Sequence, residues 1–260
     1  MLLVVVMLMM VCIPLRSQQF STESNGLRHV ISAMSGEDMV YYLSEMDGKV
    51  MAYSSEGKLL WTNQTAEKAL LFEIVAEDID NDGHDELLAA SGDGHVYCWS
   101  GKSGEQLWRF NPGHKTLFTE VAVLKSNQGI QIFTGGNDYT LYELDTSGRL
   151  VSKTPISGTV RKIEAGNFLD KEKPSLFLMT ITQDKWMWKF LGFLDPNTKE
   201  VIKSHAYKEQ PKERWNRVMV NDIAVADLDK DQKDDLLFFG TNFGVRFYGF
   251  NADFEQIAEF

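Results

Sequence analysis

The chain has 260 residues, of which 43% are hydrophobic and 24% are charged, and its formal net charge is −11 at neutral pH. This composition is that of a folded globular protein and excludes a disordered, collagen-like or low-complexity chain. The negative charge argues against nucleic acid or an anionic membrane surface as the main partner, because both would repel it, and it favours cations instead.

The N-terminus carries an unbroken apolar run from Leu2 to Leu15. A helix needs about 20 apolar residues to span a bilayer, so this run is too short for a transmembrane helix and fits the core of a secretory signal. We expect residues 1–17 to be a signal peptide and the product to be secreted, periplasmic or on the cell surface, with no transmembrane segment after signal removal. The exported chain would keep Cys98 alone, which predicts no internal disulfide.

Five similar hairpins recur along the chain. Each has an alternating apolar strand, a turn rich in Gly, Asn, Asp or Ser, and a second strand. Their turn residues are spaced by 47, 44, 50 and 55 residues, at Gly57, Gly104, Gly148, Thr198 and Asp253. Two further strands precede each hairpin, such as LLFEIVAED and ELLAASG in the second unit. Four short strands at this period are typical of a β-propeller blade.

We therefore predict an all-β fold, a β-propeller of four-stranded antiparallel blades over residues 18–260. The five repeats are expected at approximately 27–65, 66–113, 114–156, 157–210 and 211–260. A β-sandwich, or two in tandem, is the alternative architecture. A sandwich does not explain why one internal phrase returns at a nearly constant period.

Two acidic loops follow the first strand of a repeat. Residues 78–86 read DIDNDGHDE, with Asp78, Asp80 and Asp82 at alternate positions before Gly83. Calcium takes about six to eight oxygen ligands, and alternate side chains of a tight loop can point at one ion. The pattern therefore predicts a structural calcium site, with Asp85 pointing outward. A solvated acidic turn is the alternative.

The second acidic loop, residues 227–235, reads DLDKDQKDD. Asp227, Asp229 and Asp231 repeat the alternation, but Gln232 stands where the first loop has its turn glycine. A side chain at positive φ costs about 1 kcal/mol, so we expect this loop to bind calcium more weakly.

The phrase Gly57-Lys58-Leu59-Leu60-Trp61 and its counterpart, residues 104–108, resemble the blades of PQQ-like (quinoprotein-like) propellers. The acidic loops resemble the calcium loops of FG-GAP (integrin-α-type) repeats. This resemblance, at superfamily level over roughly residues 27–260, implies that Glu86 and Asp235 complete the two sites, with backbone carbonyls from His84 and Lys233. Propellers of these families usually have six to eight blades, so a truncated ring is an alternative to a five-bladed one.

Other signals of chemistry are sparse. The five histidines show no zinc-binding spacing, and no nucleophile elbow, P-loop or dinucleotide fingerprint is present. Candidate ligand-binding residues are Trp186 and Trp188, together with Trp215 in the basic segment between Lys203 and Arg217. Aromatic side chains stack on sugars, although tryptophans also pack between blades.

Three functions remain open from the sequence. The preferred prediction is a calcium-stabilised, noncatalytic module that binds an extracellular protein or a glycan. The alternative is the propeller module of a secreted polysaccharide-degrading enzyme of the lyase type, with His, Tyr or Arg from several blades meeting at the axis. A quinoprotein-like dehydrogenase fragment is the third and weakest prediction, because the tryptophan phrase is clear in only two units.

Overall fold

The computed structural model of the protein describes residues 26–182, 188–205, 220–241 and 245–259. Within these ranges the chain forms five four-stranded antiparallel sheets, and no helix occurs in them. The sheets are propeller blades, so the predicted fold is confirmed. The proposed signal peptide, Trp186 and Trp215 lie outside the described residues. None of the described ranges contains a helix long and apolar enough to cross a bilayer.

Each blade consists of four consecutive strands, numbered β1 to β20 in chain order. Blade 1 contains β1 Leu27–Ser35, β2 Asp38–Glu45, β3 Lys49–Ser54 and β4 Leu59–Gln64. Blade 2 contains β5 Leu71–Glu77, β6 Glu86–Ser91, β7 Val96–Ser100 and β8 Gln106–Phe110. Blade 3 contains β9 Phe118–Ser126, β10 Gly129–Gly136, β11 Thr140–Leu144 and β12 Leu150–Pro155. Blade 4 contains β13 Thr159–Asp170, β14 Lys173–Ile181, β15 Trp188–Leu194 and β16 Val201–Ser204. Blade 5 contains β17 Val220–Ala226, β18 Asp235–Thr241, β19 Val245–Phe250 and β20 Gln256–Glu259.

The first strand of every blade faces the propeller axis. Successive first strands pack against one another, β1 on β5, β5 on β9, β9 on β13 and β13 on β17. The fourth strands lie at the outside and are more exposed, as in β12, where exposed and partly buried residues alternate. The second and third strands are covered on both sides, and all six residues of β6 are buried. We call β1, β5, β9, β13 and β17 the inner strands.

The hydrophobic core is divided among the blade interfaces. In the described residues, four clusters of buried side chains lie between blades 1 and 2, 2 and 3, 3 and 4, and 4 and 5. Between blades 1 and 2, for example, Tyr42 and Trp61 pack with Leu87 and Trp99. Burial of one large apolar side chain contributes about 1.5–3 kcal/mol, so each blade is held mainly by its neighbours.

The two tryptophans of the blade phrase are part of this packing. The indole N–H of Trp61 donates to the carbonyl oxygen of Gly101 at 2.6 Å, and that of Trp108 donates to the carbonyl oxygen of Thr146 at 3.0 Å. Each tryptophan therefore reaches from the outer strand of its own blade to the hairpin turn of the next. A Cβ atom at Gly148 would lie 2.5 Å from the Trp108 ring, so this contact requires glycine.

Candidate functional site

Two groups of ionisable residues lie near opposite ends of the inner strands. The acidic loops join β5 to β6 and β17 to β18, so they lie where inner strands end. The second group lies close to where the inner strands begin. We call this group the axial cluster, and it consists of His29, Glu73, Glu120, Lys162, Glu164 and Asp222.

The two acidic loops have the same backbone conformation. Asn81 and Gly83 have φ angles of 62° and 88°, and the equivalent Lys230 and Gln232 have φ angles of 66° and 70°. Gln232 therefore adopts the left-handed conformation that its position requires. A residue with a side chain pays about 1 kcal/mol for this conformation, whereas the glycine of the first loop does not.

The hydrogen bonds of the two loops also correspond. Asp78 Oδ2 accepts the N–H of Gly83 at 3.1 Å, and Asp227 Oδ2 accepts the N–H of Gln232 at 3.1 Å. In each loop the carboxylate of the ninth residue accepts the N–H of the second, at 3.2 Å in the first loop and 2.8 Å in the second. The similar sequence pattern thus produces one loop structure in two blades.

Three carboxylates of each loop converge on one point. Single carboxylate oxygens lie within 4.8 Å of one another in two sets, Asp78, Asp80 and Glu86 in the first loop and Asp227, Asp229 and Asp235 in the second. Calcium–oxygen distances of about 2.3–2.6 Å allow oxygens across one ion to be this far apart, so each set has the dimensions of a cation site. Asp82 and Asp231 accept the N–H groups of His84 and Lys233 at 2.7 Å and 2.8 Å. Direct ligation by these four residues stays a prediction.

Burial and neighbouring carboxylates both oppose ionisation of the ninth residue of each loop. Burial, together with the charges of Asp80, Asp82 and Asp78, raises the pKa of Glu86 to about 7. Burial and the charge of Asp229 likewise raise the pKa of Asp235. A bound divalent cation would remove this repulsion, which is the physical reason that such clusters attract calcium.

The prediction that Asp85 points outward is wrong. Asp85 is only 9% exposed, because this side of the loop faces the preceding blade. Its charge acts, after burial, to raise the pKa of Tyr42 in blade 1. The same position in the second loop, Asp234, accepts the N–H of Asn167 in blade 4 at 2.6 Å. Both loops therefore help to dock their blade on the one before it.

The axial cluster arises from a repeated irregularity of the inner strands. In all five blades the register between the inner strand and its neighbour shifts by one residue close to the start of the inner strand. The first paired residue after the shift is ionisable in every blade: His29, Glu73, Glu120, Lys162 and Asp222. A bulge re-aims the side chain that follows it, and here it is repeated around the axis.

Lys162 is the centre of the axial cluster. Its Nζ atom lies 2.7 Å from Asp222 Oδ1, 2.8 Å from Glu73 Oε2 and 3.3 Å from Glu120 Oε1. The side chains of Lys162 and Glu120 are 4% and 3% exposed, whereas those of Glu73 and Asp222 are 18% and 60% exposed. The buried Lys162 and Glu120 form the floor of the cluster, and the more exposed Glu73 and Asp222 form its rim.

The charges of this cluster perturb one another. Burial opposes the charge of Lys162, but the carboxylates of Glu120, Glu73 and Asp222 outweigh burial and raise the lysine pKa. Burial raises the pKa of Glu120 well above its ordinary value, although Lys162 acts in the opposite direction. Burial also raises the pKa of Glu164 to about 8. Three carboxylates contact the Lys162 ammonium group and Glu164 interacts with it electrostatically, so the cluster contains more acidic groups than one lysine can balance.

The remaining member of the cluster, His29, is neutral. Burial is the main cause that lowers its pKa to about 4, and the charges of Arg28 and Lys162 act in the same direction. Its Nδ1 atom hydrogen-bonds with Ser44 Oγ at 2.9 Å. Of the His, Tyr and Arg side chains expected at the axis, this cluster includes His29, and its other members are carboxylates and a lysine.

Sequence reasoning missed the axial cluster, although a weak signal exists. At or one residue after its start, each inner strand has an apolar residue, any residue and an ionisable residue: Leu27-Arg28-His29, Leu71-Phe72-Glu73, Phe118-Thr119-Glu120, Val160-Arg161-Lys162 and Val220-Asn221-Asp222. In a single strand this triplet carries no information. It gains meaning only when the five repeats are aligned by blade.

Comparison with known proteins identifies one family. The model of the lambda-carrageenase β-propeller domain matches residues 42–183, which is more than half of the chain. The lambda-carrageenases of Pseudoalteromonas carrageenovora and of a Pseudoalteromonas species are 34% and 32% identical to it over 135 residues. These matches cover 52% of this chain but only 14% of the length of each enzyme.

Solved structures support the fold alone. The WD40 domain of Neurospora crassa Pan2 superposes with a TM-score of 0.61 at 13% identity, over 90% of this chain and 65% of that one. A protein of unknown function from Bacteroides caccae gives a TM-score of 0.58 at 13% identity, over 91% of this chain and 82% of that one. Both similarities are too low in sequence identity to carry a function.

Proposed function

The chain belongs to the lambda-carrageenase β-propeller family, and from this membership we propose that it is the propeller module of a secreted polysaccharide-degrading enzyme. The supporting observation is the match over residues 42–183, which extends from β2 to the end of blade 4's second strand. The proposed substrate class is a carrageenan-type glycan. An extracellular location suits this substrate, because a polymer of that size is degraded outside the cell.

This proposal changes the order of the functions expected from sequence. The preferred prediction was a noncatalytic binding module, but both curated relatives are named as polysaccharide-degrading enzymes, which favours the alternative. The lyase type has no support, because carrageenans are sulfated galactans without the uronic acid carboxyl group that β-elimination needs. Hydrolysis is the proposed reaction class instead. The comparisons give the quinoprotein-like dehydrogenase no support, and both tryptophans of the phrase that suggested it are blade contacts.

A sulfated glycan is a polyanion, and this chain carries a net charge of −11. Long-range repulsion therefore opposes the encounter, and binding depends on local contacts and bound cations. Each calcium ion in an acidic loop would remove two units of negative charge. The two cation sites then support both the fold and the approach of the glycan.

The acidic loops are the proposed calcium sites. Their equivalent hydrogen bonds, their converging carboxylates and the raised pKa values of Glu86 and Asp235 support this role. These features agree with the FG-GAP-like interpretation of the loops, which remains a proposal at superfamily level. The metal is structural, because each loop joins two strands of its own blade and contacts the preceding one.

Binding of lambda-carrageenan by the purified protein tests the proposed function. Calorimetry with lambda-carrageenan and with dextran, a neutral glucan, should show heat of binding for the sulfated polymer alone. Added salt should leave this binding intact or strengthen it, because it screens the repulsion between two polyanions. Equal response to dextran, or no response to either polymer together with no release of reducing ends, would contradict the proposal.

Calcium titration tests the acidic loops separately. Calorimetry should show one tighter and one weaker binding event, with Asp80→Ala removing the first and Asp229→Ala the second. Asp38→Ala, a change of an exposed aspartate outside both loops, is the matched control and should leave both events in place. A melting curve that excess chelator does not change would exclude a structural metal.

A further inference from the structure

The turns that join the second and third strands of blades 1, 2 and 3 share one pattern. Each contains an aspartate followed by a residue with positive φ: Asp47-Gly48, Asp93-Gly94 and Asp138-Tyr139. The φ angles are 78° at Gly48, 80° at Gly94 and 59° at Tyr139. Blade 3 therefore holds a bulky side chain in the left-handed conformation, where the other two blades have glycine.

The linker to the next blade decides whether a side chain fits at this position. A Cβ atom at Gly48 would lie 2.1 Å from the carbonyl oxygen of Ala69, and one at Gly94 would lie 2.8 Å from that of Thr116. In blade 3 the linker passes the backbone instead, because the N–H of Ile156 donates to the carbonyl oxygen of Tyr139 at 2.9 Å. The side chain of Tyr139 is 44% exposed.

Packing within the protein explains Tyr139 poorly. A side chain at positive φ costs free energy that glycine avoids, and a ring that is almost half exposed regains little of this cost through burial. Residues other than glycine in this conformation are found preferentially at ligand sites. The conformation and the exposure together indicate that the Tyr139 ring is presented to a partner.

Two basic side chains lie beside this turn, on the linker between blades 2 and 3. The side chain of His114 is 52% exposed, and its Nε2 atom donates to Asp138 Oδ2 at 2.9 Å. The hydroxyl group of Tyr142 donates to the same oxygen at 2.6 Å, so the carboxylate that orients the imidazole is itself held in place. Lys115 is exposed, and among the described residues no carboxylate pairs with it.

The linker that carries these two side chains is fixed at both ends. Asn111 Nδ2 donates to the carbonyl oxygen of Gly94 at 2.7 Å, in the turn of blade 2. Asn137 Oδ1 accepts the N–H of Leu117 at 3.0 Å, in the turn of blade 3. The histidine and the lysine between these anchors therefore stand on a rigid support, as binding residues on loops commonly do.

We propose that Tyr139, His114 and Lys115 form a subsite for one sulfated sugar unit of a carrageenan-type glycan. The Tyr139 ring offers a flat face to the apolar side of a pyranose ring. The Lys115 ammonium group and the exposed part of the His114 imidazole contact a sulfate group, where hydrogen bonds to the ionised acceptor are strong. This inference rests on the proposed function and names the surface at which the glycan binds.

The subsite lies at the end of the propeller that faces away from the acidic loops. Gly136, the last residue of β10, pairs with Phe118, the first residue of β9, so the turn with Tyr139 lies where the inner strands begin. The acidic loops follow the ends of inner strands. A polyanion that approaches the subsite therefore avoids the acidic loops, and three carboxylates of the axial cluster at this end are paired with Lys162.

Calorimetry with lambda-carrageenan and the full chain tests the subsite. Tyr139→Gly should weaken binding by about 2- to 10-fold, the range for one aromatic contact, whereas Tyr139→Phe keeps the ring and should bind like the wild type. Lys115→Ala should weaken binding by a similar factor. Lys58→Ala removes the same charge from an exposed position in the β3–β4 turn, at the end with the acidic loops, and as the matched control it should keep the wild-type affinity.

Chemically desulfated lambda-carrageenan separates the roles of the three side chains. Lys115→Ala and His114→Ala remove contacts to sulfate, so each should narrow the difference in affinity between the sulfated and the desulfated polymer. Tyr139→Gly removes a contact to the sugar ring, so it should leave the ratio of the two affinities unchanged. A ratio that stays at the wild-type value in both Lys115→Ala and His114→Ala would contradict the assignment of the sulfate contacts.

The melting temperature separates binding from folding. Tyr139→Gly removes the cost of a side chain at positive φ, so it should be as stable as the wild type. Tyr139→Asn also tolerates this conformation and should lose affinity to the same extent without loss of stability. A large fall in melting temperature in both variants would assign Tyr139 a role in packing and overturn the subsite.

The outcomes distinguish this inference from the proposed function. If the wild type binds lambda-carrageenan and both Tyr139→Gly and Lys115→Ala bind it equally well, the subsite is overturned and the proposed function stands. If the wild type neither binds nor cleaves lambda-carrageenan, the proposed function itself is contradicted.

Discussion

The acidic loops and the axial cluster lie at opposite ends of the inner strands, and they differ in how far apart in the sequence their charged residues are. In each loop the carboxylates come from nine consecutive residues, and the third residue is exposed whereas the ninth is buried, so a cation can reach the convergence point from solvent. In the axial cluster the carboxylates come from four blades, blade 1 contributes His29, and Lys162 and Glu120 are buried at the floor of the cluster. The loops can form within one blade, whereas the cluster exists only when the whole propeller has assembled.

This difference determines what each region does to stability. Removal of an exposed loop carboxylate leaves the neighbouring carboxylates hydrated, so the free energy of unfolding changes only modestly. A group removed from the floor of the axial cluster leaves an uncompensated charge in a dry environment, which is costly. The charges of the cluster are therefore more strongly coupled to folding than the more numerous charges of the loops.

The largest expected effect comes from Lys162→Met. Loss of the ammonium group leaves the carboxyl groups of Glu73 and Glu120 facing each other without a cation, and we expect the free energy of unfolding to fall by about 3–5 kcal/mol. Urea unfolding at neutral pH measures this change. The ion pair between Lys125 and Glu77 also joins β9 to β5 but is 41% and 38% exposed, so Lys125→Met should cost about 1 kcal/mol or less.

Equal losses in these two lysine variants would contradict the distinction between a buried cluster and a solvated surface. A loss in Lys162→Met that disappears at low pH would support it further. Protonation of the carboxyl groups removes the repulsion that the missing ammonium group had balanced, so acid should partly restore the stability of this variant.

An intermediate effect concerns the dependence of stability on pH. Burial raises the pKa of Glu164 to about 8 in the folded protein, from an ordinary value of 4.5. Between these values the folded state holds a proton that the unfolded chain releases, so stability decreases as pH rises through this window. The contribution of one such group is at most about 1.4 kcal/mol per pH unit. The lowered pKa of His29 acts in the opposite direction between about pH 4 and pH 6.5, and the raised pKa of Lys162 acts only at more alkaline pH.

Urea unfolding at several pH values between 5 and 8 measures this slope. Glu164→Gln should flatten it, because the variant has no proton to lose. Some slope should remain, since burial also raises the pKa values of Glu73 and Glu120. Identical slopes in the wild type and the variant would show that Glu164 ionises freely in the folded protein. Glu105→Gln serves as the exposed control and should leave the slope unchanged.

The same contrast explains what the sequence could predict. Blade hairpins and acidic loops are local: alternation of apolar residues and carboxylates around a turn can be found within about ten residues, as in residues 78–86. The axial cluster depends on side chains as distant as His29 and Asp222, each of which is an ordinary ionisable residue in its own strand. Bringing them together requires both the bulge and the packing of successive blades around the axis.

Asp85 shows the limit within a local motif. The alternation of residues 78–86 correctly separates this aspartate from the converging carboxylates, and solvent was the expected destination of its side chain. The preceding blade occupies that space instead, and Asp85 is buried. Sequence alternation gives the two sides of a loop, but what covers each side is decided by tertiary packing.

The smallest expected effect lies in the second acidic loop. Gln232 adopts a φ of 70°, whereas its counterpart Gly83 reaches 88° without a side chain. Gln232→Gly should remove the cost of a side chain at positive φ and so raise the free energy of unfolding by up to about 1 kcal/mol. The larger loss of chain entropy that glycine undergoes on folding reduces this gain. Calcium affinities of the two loops, compared by calorimetry, should become more alike, because a relaxed loop presents its carboxylates to the ion without further strain.

Gln106→Gly is the matched control: this glutamine lies in strand β8, outside the residues with positive φ, and its loss should destabilise the protein. If both glycine variants destabilise the protein, the contacts of the Gln232 side chain stabilise its loop by more than its backbone conformation costs. The weaker calcium binding of this loop would then be caused by its ligand residues.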